Sequence, residues 1–198
     1  MTQLKLFITK YGDKLLPFSL TALVILLDQI TKAIIVRNWP IPPGQRWVFI
    51  TDVFNNDFLR IIHVRNPAIA FSIGQNLPEP LKPILFVILP VAVLIFLVFY
   101  YFKSDEFTNI QRWALAGITG GGIGNIIDRI FRRSTGGVVD FIDVRFFGIE
   151  NIPILRWERW PTFNVADSAV VVCCLILFVT ILFVSQKNKE GAANEQKS

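Results

Sequence analysis

Two aspartates, Asp140 and Asp167, lie in strongly apolar sequence, where an ionised carboxylate is expensive. Asp140 follows two valines and precedes a phenylalanine, and Asp167 stands near the start of a long apolar run. Two carboxylates whose surroundings push their pKa values apart can act as acid and base in a hydrolysis. That chemistry needs neither a metal ion nor a covalent nucleophile. The pair is therefore our first hypothesis for a catalytic site.

Further polar residues stand near these aspartates at helical spacing. Asn125 and Asp128 are three residues apart, and Asn164 and Asp167 repeat that spacing. Residues three apart share one face of a helix. If the two helices meet on one side of a membrane, all of these side chains gather with Asp140 at one depth. Each segment alone also permits a structural reading: a polar helix end, a first-turn acid favoured by the helix dipole, or a turn residue.

The composition predicts the elements that must position these residues. The chain has 198 residues, of which 53% are hydrophobic and 18% charged, and its mean hydropathy is +0.50. Soluble domains carry about a quarter charged residues, so a polytopic membrane protein is indicated. A membrane-spanning helix needs about 20 mostly apolar residues. Four segments meet this need, although the third is weaker and rich in glycine: about 15–35, 81–102, 113–130 and 166–184.

The connection 36–80 is predicted to lie at the membrane surface and to hold a small sheet. Trp47–Thr51 and Phe58–Val64 are rich in β-branched and aromatic residues, and Asn55–Asp57 separates them with turn-forming residues. We therefore predict a single all-α membrane domain over 1–198, with a small extracytoplasmic β-sheet between its first and second helices. The polar tail 186–198 is predicted to be disordered. The distribution of Lys and Arg does not settle the orientation.

Several charged and polar residues are candidates to support the aspartates. Asp28 and Lys32 stand four apart, acid first, and can pair along one helix face. Arg129 follows Asp128 and is positioned to pair with a carboxylate, and Asn66 lies where the sheet turns back toward the second helix.

His63 is the only histidine and is predicted to be a residue of this membrane-surface sheet, so a histidine-based triad or a multi-histidine metal site has little to draw on.

The glycine-rich segment 117–129 has two competing interpretations. Gly117 with Gly121, and Gly120 with Gly124, form small-xxx-small spacings that let a neighbouring helix approach closely. A phosphate-binding loop would require a preceding strand and a different glycine spacing. We therefore expect these glycines to pack helices.

The charge distribution and the placement of polar residues also bear on four other functions: nucleic-acid binding, ion transport, a structural role and metal binding. The net charge of +5 is not arranged as a basic stripe with stacking aromatics, so anionic lipid is expected and nucleic acid is not. A small proton or ion transporter would use the carboxylates as a relay, but it would want polar residues deep in several helices. A structural adaptor has no need of so many buried polar groups. A carboxylate metal site is the remaining alternative, with four candidate ligands: Asp128, Asp140, Asp143 and Asp167.

Five motifs, in order along most of the chain, resemble those of the bacterial lipoprotein signal peptidases, also called signal peptidase II. The last three together are highly specific. The motifs are Asp-x-x-Thr-Lys at 28–32, Arg-Asn-Pro-x-x-Ala-Phe at 65–71, Gly-Gly-x-Gly-Asn-x-x-Asp-Arg at 121–129, Val-Val-Asp-Phe at 138–141 and Phe-Asn-x-Ala-Asp-Ser at 163–168. The family usually reads Asn-x-Gly-Ala-Ala-Phe in the second motif, and here Ala68 replaces that glycine.

The resemblance implies an aspartic intramembrane protease with four helices and both termini in the cytoplasm. It places Asp140 and Asp167 as the catalytic dyad near the outer face of the bacterial cytoplasmic membrane. The implied substrate is a prolipoprotein carrying diacylglycerol on its lipobox cysteine, cleaved just before that cysteine. Globomycin-type inhibitors are expected to occupy the dyad, no metal or cofactor is implied, and we expect a monomer. The supporting positions implied are Asp28, Lys32, Asn66, Asn125, Asp128, Arg129 and Asn164.

Overall fold

Four helices form the body of the protein, as predicted. The computed structural model describes residues 12–67, 77–78, 80–132, 137–146 and 158–195, with side chains in the last helix to residue 183. The helices are α1 (Phe18–Asn38), α2 (Leu89–Lys103), α3 (Asn109–Phe131) and α4 (Val165–Glu195). A π-helical segment, Ile84–Ile88, directly precedes α2.

Three of these helices are long and apolar enough to cross a membrane by length and composition. Within the described residues the candidate spans are Gly12–Asn38, Ile84–Lys103 and Val165–Phe183. Helix α3 is less apolar, but it is packed between α1 and α4 and also touches α2. Because its neighbours shield it from lipid, α3 needs fewer apolar side chains than they do.

The predicted close approach of helices at the glycines is confirmed. A Cβ atom added at Gly120 would lie 3.0 Å from the carbonyl oxygen of Thr21 on α1. At Gly124 it would lie 2.7 Å from Oδ2 of Asp28 and 3.2 Å from Cβ of Ala166. These glycines therefore let α1 and α4 pack closely against α3, and they allow the side chain of Asp28 to approach the backbone of α3.

A three-stranded antiparallel sheet caps one end of the helices. Its order is β1 (Trp47–Asp52), β2 (Leu59–Asn66) and β3 (Val138–Val144). The predicted turn between β1 and β2 is confirmed, with positive φ angles at Asn55 (54°) and Asp57 (65°).

The prediction of a sheet drawn only from the connection between α1 and α2 is incomplete. Strand β3 follows α3 in the chain and pairs Asp140 with Val64 of β2. Asp140 is therefore a strand residue and not a turn residue. Its segment is a short, nearly continuous apolar run, and such runs do not reveal a strand by alternation.

A hydrophobic cluster joins this sheet to the helices. Ile35 near the end of α1 packs with Val139 and Phe141 of β3, and Val165 at the start of α4 packs against them. The two side chains that flank Asp140 are thus fixed in the core, which fixes the position of Asp140 itself.

The tail differs from its predicted disorder. Helix α4 continues through Glu195, so the backbone of 186–195 is helical. Its 31 residues give a length of about 46 Å, which exceeds a hydrocarbon core of about 30 Å. The segment 186–195 contains Lys, Glu and Ala, which have high helix propensity and favour continuation of the helix beyond the apolar part. Residues 196–198 and Ala68 lie outside the described residues.

Candidate active site

Asn164 connects the two aspartates through both its side chain and its backbone. Its Nδ2 donates to Oδ1 of Asp140 at 2.7 Å, and its backbone N–H donates to Oδ2 of Asp167 at 3.2 Å. Asn164 is fully buried and Asp140 is 2% exposed. One asparagine therefore holds both carboxylates in a fixed relation, as the predicted gathering requires.

The spacing of Asn164 and Asp167 reflects a reciprocal cap at the start of α4. The Oδ1 atom of Asn164 accepts from the backbone N–H of Asp167 at 3.0 Å, while Asp167 accepts from the backbone N–H of Asn164. This is the geometry of a capping box, in which the residues before and three into a helix satisfy each other's backbone. The first-turn interpretation of Asp167 is thus correct, and it orients the carboxylate toward the site.

Two further amides complete the hydrogen bonds of the pair. Nδ2 of Asn125 donates to Oδ1 of Asp167 at 2.8 Å, and Nδ2 of Asn66 donates to Oδ2 of Asp140 at 3.1 Å. The Oδ1 atom of Asn125 also accepts from Nδ2 of Asn164 at 3.2 Å. The described amides reach the aspartates from three elements, namely α3, β2 and the residue preceding α4.

A buried ion cluster underlies the amides. Nζ of Lys32 lies 2.8 Å from Oδ2 of Asp28 and 3.2 Å from Oδ2 of Asp128, and the three side chains are fully buried. Lys32 also donates to Oδ1 of Asn125 at 3.1 Å. The predicted pairing of Asp28 with Lys32 is confirmed, and the lysine fixes which way the Asn125 amide points.

The two acids of this cluster also bind backbone amides at the elements that carry the aspartates. Oδ1 of Asp28 accepts from the N–H of Ala166 in α4 at 3.0 Å. Oδ2 of Asp128 accepts from the N–H of Val139 in β3 at 3.0 Å. The residue that follows each amide is one of the two aspartates, so the cluster positions both.

Burial sets the acidity of Asp140. The pKa of this carboxyl is raised from 3.8 to about 7, first by burial and then by the nearby charge of Asp167. The hydrogen bonds from Asn66 and Asn164 oppose the shift. Asp140 is therefore partly protonated near pH 7 and feels the charge of Asp167.

Asp143 lies on the same strand but is not part of the pair. Its Oδ2 accepts from Nε of Arg159 at 2.7 Å, and side chains three apart on a strand point to opposite faces. Among the described residues, no three His, Cys, Asp or Glu side chains are placed to hold a metal ion. The four carboxylates of the metal-site alternative therefore do not converge.

A cavity of about 470 Å³ adjoins Asn66, whose amide binds Asp140. Asn66, Lys82 and Arg129 provide its polar part, and Phe86, Val87 and Ile88 provide an apolar wall. An elongated substrate with both polar and apolar parts fits such a cavity.

Comparison with known proteins identifies the family of this fold and site. Residues 20–183 match the family model described as signal peptidase (SPase) II. The chain belongs to the signal peptidase II family.

Curated relatives agree over nearly the whole chain. The chain is 41% identical to the lipoprotein signal peptidase of Treponema pallidum over 177 residues, covering 89% of this chain and 87% of that protein. It is 44% identical to the Treponema denticola lipoprotein signal peptidase over 180 residues, covering 90% and 95% respectively. A bacterial membrane enzyme solved by the in meso method at 2.3 Å is 28% identical, with a TM-score of 0.67, over 86% of this chain and 90% of that one. The chain is thus a multi-pass membrane protein of this family.

Two residues of this signal peptidase II family member were missed by the sequence reasoning. Arg132 forms an ion pair with Asp128, four residues away along the helix face, whereas Arg129 interacts electrostatically with the two aspartates Asp167 and Asp140. Gln29 donates to Oδ2 of Asp28 at 3.0 Å and to Oδ1 of Asp128 at 3.3 Å, and its Oε1 accepts from Arg132 at 3.0 Å. The four-residue spacing was a readable signal for Arg132. Gln29 had none beyond its position next to Asp28.

Proposed function

We propose that this protein is an aspartic endopeptidase that removes the signal peptide from diacylglyceryl-modified bacterial prolipoproteins. Cleavage occurs just before the lipid-modified cysteine. The observation that carries the proposal is the arrangement of Asp140 and Asp167, which Asn164 holds together at one end of a helix bundle. Membership of the signal peptidase II family supports a peptidase over the transporter alternative.

The proposed mechanism divides acid and base work between the two carboxyls. One ionised carboxylate takes a proton from water as the water oxygen attacks the scissile carbonyl carbon. The protonated partner donates to the carbonyl oxygen, which gives a neutral tetrahedral intermediate. The carboxyl that took the water proton then donates it to the amide nitrogen as the C–N bond breaks. One hydroxyl of the intermediate gives its proton to the other carboxylate, so the pair again shares one proton.

The other polar groups of the site act as positioning residues in this scheme. Asn125 and Asn66 orient the two carboxyls by direct hydrogen bonds. Asp28, Lys32 and Asp128 hold the backbone of α4 and β3 at the residues before the aspartates. Because reacting groups must be held to within a fraction of an ångström, such indirect supports influence the rate strongly.

The cavity beside Asn66 is the proposed substrate site. Its apolar wall on the π-helical segment suits the acyl chains or the apolar signal peptide, and Arg129 suits peptide carbonyl oxygens. Substrate bound there passes next to the side chain that holds Asp140.

The proposed setting is the bacterial cytoplasmic membrane. Both termini lie in the cytoplasm, the site lies near the extracytoplasmic face, and the protein acts as a monomer. The ion pair of Lys14 and Asp105, at 2.6 Å, lies between the start of α1 and the connection from α2 to α3, at the end away from the site. That end is the cytoplasmic one in this proposal.

A direct assay tests the function. Purified protein incubated with a diacylglyceryl-modified prolipoprotein is expected to release the shortened product, and globomycin is expected to block it. Cleavage should persist in EDTA, because the carboxyls supply the acid and base. Products are resolved by gel mobility and by mass spectrometry at the cleavage position. Proton flux in liposomes without any cleavage would instead favour the transporter.

The acidity of Asp140 predicts a pH dependence. Catalysis requires the shared proton, so kcat/KM is expected to fall by up to about tenfold per pH unit above about 7, where Asp140 ionises.

The same raised pKa of Asp140 predicts how the free energy of unfolding depends on pH. Between 3.8 and about 7 the folded protein keeps a proton that the unfolded chain releases, so stability falls as pH rises through that window.

The matching measurement is a pair of pH series. Cleavage rates are recorded from pH 5 to 9, and melting temperatures in detergent are compared for the wild type and Asp140→Asn. The wild type should lose stability relative to the variant as pH rises toward 7. A rate that is flat up to pH 9 would contradict the assignment of the shared proton to Asp140.

A further inference from the structure

A second cavity, of about 770 Å³, lies between the proline-rich loop 40–46 and strand β2. It sits at the end of α1 and has no part in the proposed hydrolysis. Arg46, His63 and Arg65 line it, and none of the described residues that line it is acidic. The described lining is therefore positively charged, and Asp128, which acts electrostatically on Arg65, is not among the residues that line it.

His63 is buried in this lining with one ring nitrogen unsatisfied. It lies in strand β2, as the prediction of a sheet residue requires, and its side chain is 1% exposed. Nδ1 lies 2.6 Å from the carbonyl oxygen of Trp39, which can only accept, so Nδ1 carries the proton. Burial lowers the pKa of His63 and keeps the ring neutral. Nε2 is then a bare acceptor, and it has no partner among the described residues.

Arg65 contributes a buried hydrogen-bond donor without a partner, where His63 contributes an acceptor. Its Nη1 is buried without a hydrogen-bond partner in the described part of the chain. A guanidinium nitrogen only donates, and phosphate or carboxylate oxygens are its strongest acceptors. Arg46 is exposed beside it at the same cavity. Buried polar atoms without partners cost about 1–3 kcal/mol each, so a ligand that satisfies both is favoured.

One molecule must therefore offer an anionic oxygen to the arginines and an N–H or O–H donor to His63. The cavity adjoins the end of membrane helix α1 and Trp39, the level at which lipid headgroups lie. Ethanolamine and glycerol phospholipids carry both a phosphate and such a donor. Choline phospholipids carry the phosphate but no donor.

We propose that this cavity binds the headgroup of an ethanolamine or glycerol phospholipid. Arg46 and Arg65 hold its phosphate, and Nε2 of His63 accepts a hydrogen bond from its ammonium or hydroxyl group. The site is separate from the aspartates, although Arg65 directly precedes Asn66, whose amide binds Asp140. Strand alternation directs Arg65 and Asn66 to opposite faces of β2.

Native mass spectrometry of the full-length protein in detergent tests this site. Phosphatidylethanolamine, phosphatidylglycerol and phosphatidylcholine with identical acyl chains are titrated. The first two are expected to bind about tenfold more tightly than the third, the value of one well-made hydrogen bond. Equal binding of the choline lipid would overturn the role of His63.

Three variants assign the contacts. Arg65→Gln is expected to weaken all three lipids, and wild-type affinity in this variant would overturn the site. His63→Asn keeps a donor for the carbonyl of Trp39 but removes Nε2, so it should abolish the preference over choline without weakening the choline lipid. Arg37→Gln, an exposed arginine near the end of α1 outside this lining, is the matched control and should bind as wild type.

Soluble competitors separate lipid from free phosphate. Inorganic phosphate and glycerophosphoethanolamine are added at concentrations equal to the lipid and are expected not to displace it. Displacement by inorganic phosphate at equal concentration would show a free-phosphate site and overturn the lipid assignment. Binding is read without substrate, so failure here leaves the cleavage assay unaffected.

Discussion

Asp140→Asn and Asp167→Asn are each expected to lower prolipoprotein cleavage by at least about a thousandfold while the protein stays folded in the membrane. Asparagine has nearly the shape of aspartate but cannot exchange a proton. The Asp140 carboxyl is buried with its pKa raised to about 7, so a neutral amide there relieves a cost of burial. We therefore expect Asp140→Asn to retain or raise the melting temperature at pH 8. Cleavage and thermal melting in detergent are measured on the same preparation.

Asp143→Asn is the matched control, because it changes the same residue type on the same strand. Asp143 binds Arg159 at 2.7 Å and faces away from the pair. Its variant is expected to keep cleavage within about tenfold of wild type but to lower the melting temperature, since Arg159 loses a partly buried partner. Asp140→Asn should thus lose cleavage but keep its melting temperature, whereas Asp143→Asn should keep cleavage but melt at a lower temperature. Substantial cleavage by either dyad variant, or its loss in Asp143→Asn with the fold intact, would contradict the assignment.

Lys32→Met is expected to cause the largest loss of stability among single changes in the cluster. Lys32 lies between the carboxylates of Asp28 and Asp128, and all three side chains are fully buried. Removing one partner of a buried ion pair costs about 3–5 kcal/mol, because the remaining charge is uncompensated. Asn125 also loses the donor that fixes its amide toward Asp167. Both the melting temperature and the cleavage rate should fall.

A second-site change separates this charge effect from a general packing defect. In Lys32→Met with Asp28→Asn, the carboxylate that lost its cation becomes neutral while Asp128 keeps Arg132, and we expect more than half of the lost melting temperature to return. Lys103→Met is the control of matched chemistry, because Lys103 is exposed at the last turn of α2. A wild-type melting temperature for Lys32→Met would show that the buried lysine does not stabilise the cluster.

Much of the architecture was predictable because its causes are local. Apolar runs of membrane-spanning length predicted the four helices, and the small-xxx-small spacings predicted the close contact at Gly120 and Gly124. The spacing of Asn164 and Asp167 is the spacing of a capping box. Helix length, glycine packing and capping each depend on residues within a few turns, so the order of amino acids records them directly.

The third strand and the burial of residues such as His63 could not be predicted from local sequence. Asp140 belongs to β3, which pairs with a strand more than 70 residues earlier in the chain. That pairing depends on hydrogen bonds between distant segments, and no local pattern encodes them. Burial of His63 beneath the end of α1 and the bonds of Gln29 depend on distant partners for the same reason.

The sequence by itself determined the membrane class, the helices and the set of polar residues worth testing. Only the tertiary structure decided that Asn164 joins Asp140 to Asp167, that Arg132 pairs with Asp128, and that Asp143 faces elsewhere. The physical reason is that a carboxylate's acidity and partners depend on what is packed around it. Asp140 and Asp143 have the same side chain, but Asp140 shares the partner Asn164 with a second aspartate, whereas Asp143 binds Arg159.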